Sequence, residues 1–236
     1  MPSYIDQVCD LKSQITDKRK FRQRRAEIIA AAVKLFAEKG YYQTKVQDIA
    51  SRAGVSAGLI YQYVKDKETL LLLSILDVLD SYATELPLAV RGIENPLERC
   101  CAAFAAYCKV VDERREATVL AYRSTKSLPP EQRQLIKNAE RDTNKMISGY
   151  IQACINQGLF RPVDCELATY QVVMHAHAWA LKHWQFKNHF DLEAYVAQGL
   201  DLFLHSMLTV KGRALLDNGG FDQTSAITAG FNVDLE

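Results

Sequence analysis

The block from Thr44 to Lys67 reads TKVQDIASRAGVSAGLIYQYVKDK, and its residue types suit contact with a polyanion better than catalysis. Two short helical segments meet at Gly54, the pattern of a helix-turn-helix whose second helix enters the major groove of DNA. On that second segment Leu59, Ile60 and Val64 turn inward, which leaves Ser56, Ala57, Gly58, Tyr61, Gln62 and Tyr63 outside on an uncharged face. Small residues at the start let a helix approach closely, and its first amides hold phosphate. The Gln62 amide suits adenine N6 and N7, and tyrosine hydroxyls bind phosphate. Lys45 and Lys67 stand at helix starts, where a cation opposes the helix dipole unless a phosphate lies in front of it. The plainer alternative makes Tyr61, Gln62 and Tyr63 ordinary surface residues of a small helical domain.

These residues need elements to hold them. Over residues 22–39, Ile28, Ala32, Leu35 and Phe36 fall on one helical face, and Gly40 stops the helix. Thr44 and Gln47 form the T-x-x-Q pattern of a capping box for a second helix that buries Val46, Ile49, Ala50 and Ala53. Ser56 caps the third helix, with Val55 and Ile60 placed as a hydrophobic staple. Asp66 caps a fourth, from Thr69 to about Glu85, that is apolar nearly all round and ends before Pro87. Asn95-Pro96 opens a helix to about Val111, and Leu128-Pro129-Pro130-Glu131 opens one that ends near Gly158. Arg161-Pro162 is a turn, followed by helices near 164–186 and 191–209. No Val/Ile/Thr alternation predicts a strand, so the fold class is all-α. The expected organisation is a flexible basic arm over 1–21, a DNA-binding head over 22–82 with its helix-turn-helix at about 45–64, a body over 83–210 and a loose tail over 211–236.

Net charge over the 236 residues is only +1, but it is unevenly placed. Lys18 to Lys67 carries 12 Lys/Arg against 4 Asp/Glu, while the remainder carries 17 against 24. A basic head on an acidic body means that only the head meets a polyanion; the Lys18–Arg25 run is a phosphate or minor-groove contact, or a solvated arm. No uninterrupted apolar stretch predicts a membrane span, and Asp6, Asp10 and Lys12 interrupt any signal-peptide core, so the expected compartment is the cytoplasm. The six cysteines show no C-x-x-C spacing and read as reduced thiols. His175, His177 and His183 lack the i, i+4 spacing of a helical zinc pair, so neither metal nor cofactor is expected, and polar contacts at a dimer seam suit them better. No nucleophile–base pairing points to an enzyme.

The block also resembles the head of the TetR/AcrR family. The matching features, in order, are AEIIAAAVKLFAEKGY, the T-x-x-D-I-A of residues 44–50, the A-G-V-S of 53–56, and Y-Q-Y-V followed by K-D-K-E-T-L-L. They run from Arg22 to Tyr82; Val64 departs from the family, where an aromatic is commoner. The resemblance implies phosphate or base contacts at Thr44, Lys45, Ser56, Ala57, Gly58, Tyr61, Tyr63 and Lys67. It implies a four-helix dimer interface built from the helices at about 164–186 and 191–209, and their surplus apolar residues agree: Met174, Trp179 and Trp184 on the first, and Leu192, Val196, Leu200, Phe203 and Met207 on the second. It implies an effector pocket in the body, with Phe104, Tyr107, Tyr122, Arg123, Tyr150 and Trp179 as candidate contacts and Cys108, Leu120 and Met146 as further lining. The segment AYRSTKSLPPE resembles family members that sense fatty acyl or aromatic acyl thioesters.

The expected function is thus a repressor that binds a palindromic operator as a dimer and is released by a small hydrophobic effector, acyl-CoA among the candidates. The alternatives are a ligand-independent regulator or activator and, without DNA, a helical dimerisation module.

Overall fold

The computed structural model describes residues 3–8, 18–217 and 223–232, in two compact units. Among the described residues the structure is helical, with one isolated bridge between Phe160 and Leu208 and no strand. None of their helices is long and apolar enough to cross a membrane.

The first unit takes the described residues up to Asp80 together with Arg115–Ala139. Its helices are α1 (Tyr4–Val8), α2 (Lys18–Lys39), α3 (Val46–Arg52), α4 (Ala57–Tyr63), the first part of α5 (Lys67–Ala89), α7 (Arg115–Ser124) and the start of α8 (Pro130–Asn156). Between α5 and α7 the chain forms α6 (Pro96–Glu113), which belongs to the second unit. α2 buries Ile28, Ala32, Leu35 and Phe36 as its periodicity predicts, and it packs on both α3 and α7. Gly40 ends α2 with φ 83°, a backbone region that costs a glycine little. α7 follows a weak sequence signal, and buries Ala117, Thr118 and Leu120.

Two expectations for this unit are corrected. Residues 4–8 are helical and 18–21 extend α2, so the described parts of the 1–21 segment are not a flexible arm. The basic run is tied down as well. Arg25 and Arg22 pair with Asp6 at 2.7 and 2.8 Å, and the Arg25 side chain is buried. Pro87 also fails to break α5, which continues to Ala89. In the last turn a proline removes few intrahelical bonds, so the helix runs on toward Gly92 at φ 75°.

The second unit holds Ser81–Arg114 and the described residues from Glu140 onward. It contains α6, α9 (Cys165–Leu181), α10 (His183–Phe186), α11 (Leu192–Met207), α12 (Val210–Asp217) and α13 (Gln223–Phe231). The expected single helix over 164–186 is interrupted at Lys182, whose backbone leaves the helical region at φ −120° and ψ 21°. α6 is the axis of the unit: every residue from Cys100 to Cys108 is buried. A helix buried on all faces needs neighbours on all sides, and α9, α11 and α13 pack against it. The 158–161 turn is pinned to the end of α11 by the Arg161 amide donating to the Met207 carbonyl at 2.8 Å and the Thr209 amide to the Leu159 carbonyl at 2.9 Å. Cys100, Cys101, Cys108 and Cys154 are buried free thiols and Cys165 is half-buried; Cys9 lies outside the described residues.

The loose tail expected over 211–236 is corrected for residues 211–217 and 223–232, while 218–222 and 233–236 lie outside the described residues. α12 is helical, and α13 docks on α6 with Ala226, Ile227 and Gly230 buried. The small residues that make the segment look like a loop are what the crossing needs: a Cβ on Gly230 would overlap the Ala102 carbonyl and the Ala105 methyl. Gly230→Val should therefore destabilise the protein by about 1–3 kcal/mol in urea unfolding, the cost of overpacking a close contact. A tail free of the core would leave the unfolding midpoint unchanged.

Candidate nucleic-acid interface and body residues

The local sequence builds the second half of the helix-turn-helix as read. Gly54 turns at φ 65°, and the Ser56 hydroxyl accepts the Leu59 amide at 3.2 Å to cap α4. Ile60 and Val64 are buried beneath the helix. Gly58, Tyr61 and Gln62 are exposed, Tyr61 by 53%, and at 100° per residue they share one face. Ser56 is exposed just ahead of that face and Ala57 is half-buried. Lys45 is exposed at the start of α3, where it is the N-cap residue. Lys45, Ser56, Gly58, Tyr61 and Gln62 are thus exposed and Ala57 half-buried in the one helix-turn-helix, with Lys45 the one cation among them.

Three other predicted contacts sit differently. Thr44 is buried: its hydroxyl donates to the Gly40 carbonyl at 2.8 Å, with the Leu35 carbonyl at 3.2 Å. It therefore holds the end of α2 and offers nothing to a ligand. Nor is it the cap of α3, because the Lys45 amide donates to the Asp48 carboxylate at 3.4 Å, one residue later than the Thr44/Gln47 box. Lys67 turns its ammonium onto the carbonyls of Tyr41, Thr44 and Tyr42 at 3.1, 3.2 and 3.4 Å, and lies 4.5 Å from the centre of the Tyr41 ring. Its donors are committed to the turn between α2 and α3. Tyr63 is half-buried, with its ring stacked on Phe21 at 4.5 Å. Tyr42 is also exposed, by 77%, three residues before Lys45, with its hydroxyl 2.9 Å from that of Ser127.

In the body, Phe104, Tyr107 and Trp179 are buried and Tyr150 is half-buried, all in the second unit. Tyr122 and Arg123 are exposed and belong to the first unit, so the six predicted effector residues do not form one group within either unit. Around α6 and α9 there is instead a polar core cluster. The Tyr82 and Tyr107 rings stack at 4.0 Å, and His177 Nε2 lies 3.4 Å from each hydroxyl. The Trp179 indole donates to Asp112 at 2.6 Å. Burial pushes the Glu85 carboxyl up, against Arg114 at 3.6 Å, which acts to lower it. His175 stacks on Tyr195 at 4.4 Å, close against Gly199. His175 and His177 thus face aromatic partners in their own unit. Among the described residues no group of three or more His, Cys, Asp or Glu is arranged to hold a metal. A cleft of about 460 Å³ between α9 and α11 includes Phe104, Leu167, Gln171, His175, Leu202 and Met207 in its walls.

Comparison with known proteins decides what this arrangement belongs to. Residues 28–73 match "Bacterial regulatory proteins, tetR family", and residues 94–185 match "Tetracyclin repressor-like, C-terminal domain". The chain is similar to the HTH-type transcriptional regulator HbdR of Aromatoleum sp. (strain CIB), with 51% identity over 206 residues that cover 87% of this chain and 90% of HbdR. The chain belongs to the TetR family of transcriptional regulators. Its fold is shared by FadR from Bacillus subtilis in complex with stearoyl-CoA, at TM-score 0.66 and 22% identity over 77% of this chain and 98% of FadR. It is also shared by AibR in complex with isovaleryl coenzyme A and operator DNA, at TM-score 0.62 and 22% identity over 73% of this chain and 94% of AibR.

Two outcomes follow for this TetR-family regulator. Thr44→Val should lower stability by about 1–2 kcal/mol, the worth of a buried hydroxyl bond, and leave the operator affinity of the folded protein unchanged at fixed salt; a weakened affinity in the folded variant would return Thr44 to the interface. Burial pushes the His177 imidazole down to about 4 from its ordinary 6.5. As pH falls the unfolded chain therefore takes up the proton first. The stability that the neutral ring contributes is fully present above pH 6.5 and is lost as pH falls through about 4. His177→Gln should flatten the pH dependence of urea unfolding across that window by up to about 3 kcal/mol and change its shape little above pH 7.

Proposed function

We propose that this chain is a ligand-responsive repressor that binds a palindromic operator as a homodimer and is released by an acyl-CoA-type effector, acting in the cytoplasm. The observation that carries the reading is the uncharged exposed face of Gly58, Tyr61 and Gln62 on a capped helix beside Lys45, in a TetR-family chain. In this reading Gln62 reads a base edge, while Tyr61, the amides at Ala57 and Gly58, and Lys45 hold phosphates. Tyr63 and Lys67 act behind the surface, the first under α4 and the second through the 41–44 turn.

Residues 22–82 serve as the DNA-binding part and 83–210 as the effector and dimer part. The dimer is supported by the exposed apolar side chains that α9 and α11 leave uncovered, Leu167 and Met174 on one and Leu202 on the other. Two-fold symmetry sets the recognition helices about one DNA turn apart, which suits a palindrome. The effector class is supported by the acyl-CoA complexes of FadR and AibR, and Phe104, Tyr107, Tyr150 and Trp179 are its candidate contacts. Ligand binding releases DNA if the effector favours a conformation whose half-site spacing no longer fits, and a coupling of about 1–3 kcal/mol gives a 5- to 150-fold loss of affinity.

Operator titration across salt concentrations tests this reading. Log affinity should fall steeply with log salt, and Lys45→Ala should reduce the slope by about 1 for each lysine removed. A panel of acyl-CoAs should contain at least one that lowers operator affinity within the range above. Unchanged affinity across acyl-CoAs and fatty acids would leave a ligand-independent regulator, and an absence of salt-sensitive DNA binding would leave a helical dimerisation module.

A further inference from the structure

A second concavity lies between α8 and α9, with a volume of about 260 Å³. Arg141, Asn144, Lys145 and Ser148 line it from α8, at i, i+3, i+4 and i+7, so they form one helical face. Glu166 and Tyr170 face them from α9, and Thr169 closes the floor, its hydroxyl committed to the Cys165 carbonyl at 2.7 Å. We propose that this groove receives the adenosine-phosphate end of a coenzyme A thioester, with Tyr170 stacked on the base and Arg141 and Lys145 holding phosphate. The inference deepens the acyl-CoA reading above and rests on it for the identity of the effector.

The chemistry of the lining selects this class. Two cations attract phosphate, but Glu166 opposes a simple anion such as a fatty acid carboxylate. A ligand that carries phosphate and also hydrogen-bond donors satisfies both signs, and the adenine amine and ribose hydroxyls are such donors. Among the described residues Lys145 pairs with Asp142 on its own helix, at 3.0 Å, with its side chain 77% exposed. Such a surface pair is worth little, so the ammonium can turn to a phosphate at small cost. The Tyr170 ring is 45% exposed beside these cations, a platform for a base rather than a core aromatic. The groove is smaller than a site for a whole cofactor, which fits one end of an extended ligand.

The position on α9 separates it from the other cleft. Glu166, Thr169 and Tyr170 lie across the helix from Ala168, Gln171 and His175, which line the α9–α11 cleft. A nucleotide in the groove therefore leaves that cleft free.

The test uses the full chain, with coenzyme A lacking an acyl group and with ADP as probes, by calorimetry. The double variant Arg141→Glu with Lys145→Glu should weaken coenzyme A binding by about tenfold or more, and Tyr170→Ala by a similar factor, while Tyr170→Phe should stay within about twofold because the stack needs the ring and not the hydroxyl. Circular dichroism melting confirms that each variant folds. Wild-type protein that binds neither probe, or binding that is indifferent to the charge reversal, overturns the proposal. Coenzyme A should bind more tightly than ADP, because it adds a 3′-phosphate to the same base and diphosphate; ADP binding as tight as coenzyme A assigns the groove to a free nucleotide and overturns the coenzyme A assignment. The effector reading is scored separately. An acyl-CoA that releases operator equally from wild type and from the double variant leaves that reading standing and removes the groove. Coenzyme A binding that is lost in the variants supports the groove even where no acyl-CoA releases operator.

Discussion

The all-round burial of α6 is the constraint on which the second unit depends. From Cys100 to Cys108 no side chain faces solvent, and seven of those nine positions are alanine or cysteine, with Phe104 and Tyr107 as large aromatics. Small side chains let neighbouring helices approach closely, and close approach is needed on every side at once. α13 meets that need with Ala226 and Gly230, and α9 and α11 supply the aromatic and aliphatic surfaces. The cysteines are part of this packing. Burial holds the Cys108 thiol well above its ordinary range, so it behaves as a small apolar group and not as a nucleophile. The polar cluster of Tyr82, Tyr107 and His177 is the exception within this dry surrounding, and its cost appears as the depressed imidazole.

What was legible in the sequence is what local chemistry decides. The Ser56 cap, the glycine turns at Gly40 and Gly54, and the stripe of Ile28, Ala32, Leu35 and Phe36 each depend on residues a few positions apart, and each stands as read. Residues whose role is set by a distant partner were not legible. Thr44 fits a capping pattern, yet the carbonyls of Gly40 and Leu35 claim its hydroxyl. Lys67 looks like a phosphate hook, yet it is aimed back across the chain at the carbonyls of residues 41–44. The C-terminal segment reads as a loop by composition, and only the presence of α6 turns its alanine and glycine into a docking face. The effector side was less legible than the DNA side for the same reason. Aromatic residues at helical spacing carry no mark of which unit they will join, and Tyr122 and Arg123 joined the other one.

Charge counting needs the same correction. The excess of cations between Lys18 and Lys67 is real, but many are already matched. Arg22 and Arg25 meet Asp6, Arg24 meets Glu27, Lys39 meets Asp48, and Arg52 makes a two-pronged contact with Glu38 at 2.6 and 2.8 Å. Exposed pairs of this kind are weak and exchange readily for a phosphate, so they hold the cations in place without removing them from use. Arg25 differs, because its side chain is buried. It belongs to the scaffold that joins α1 to α2.

The second helix of the helix-turn-helix, α4, is only seven residues long. A helix of that length is not stable alone, because nucleation costs more than its few internal bonds return. It persists through what surrounds it: the Ser56 cap at one end, Ile60 and Val64 beneath, and Tyr63 stacked on Phe21. Ile60, Val64 and Tyr63 are thereby committed to support. The exposed face is therefore confined to the positions that packing leaves over, Gly58, Tyr61 and Gln62. The division between exposed and supporting residues on α4 is thus set first by the need to keep so short a helix folded.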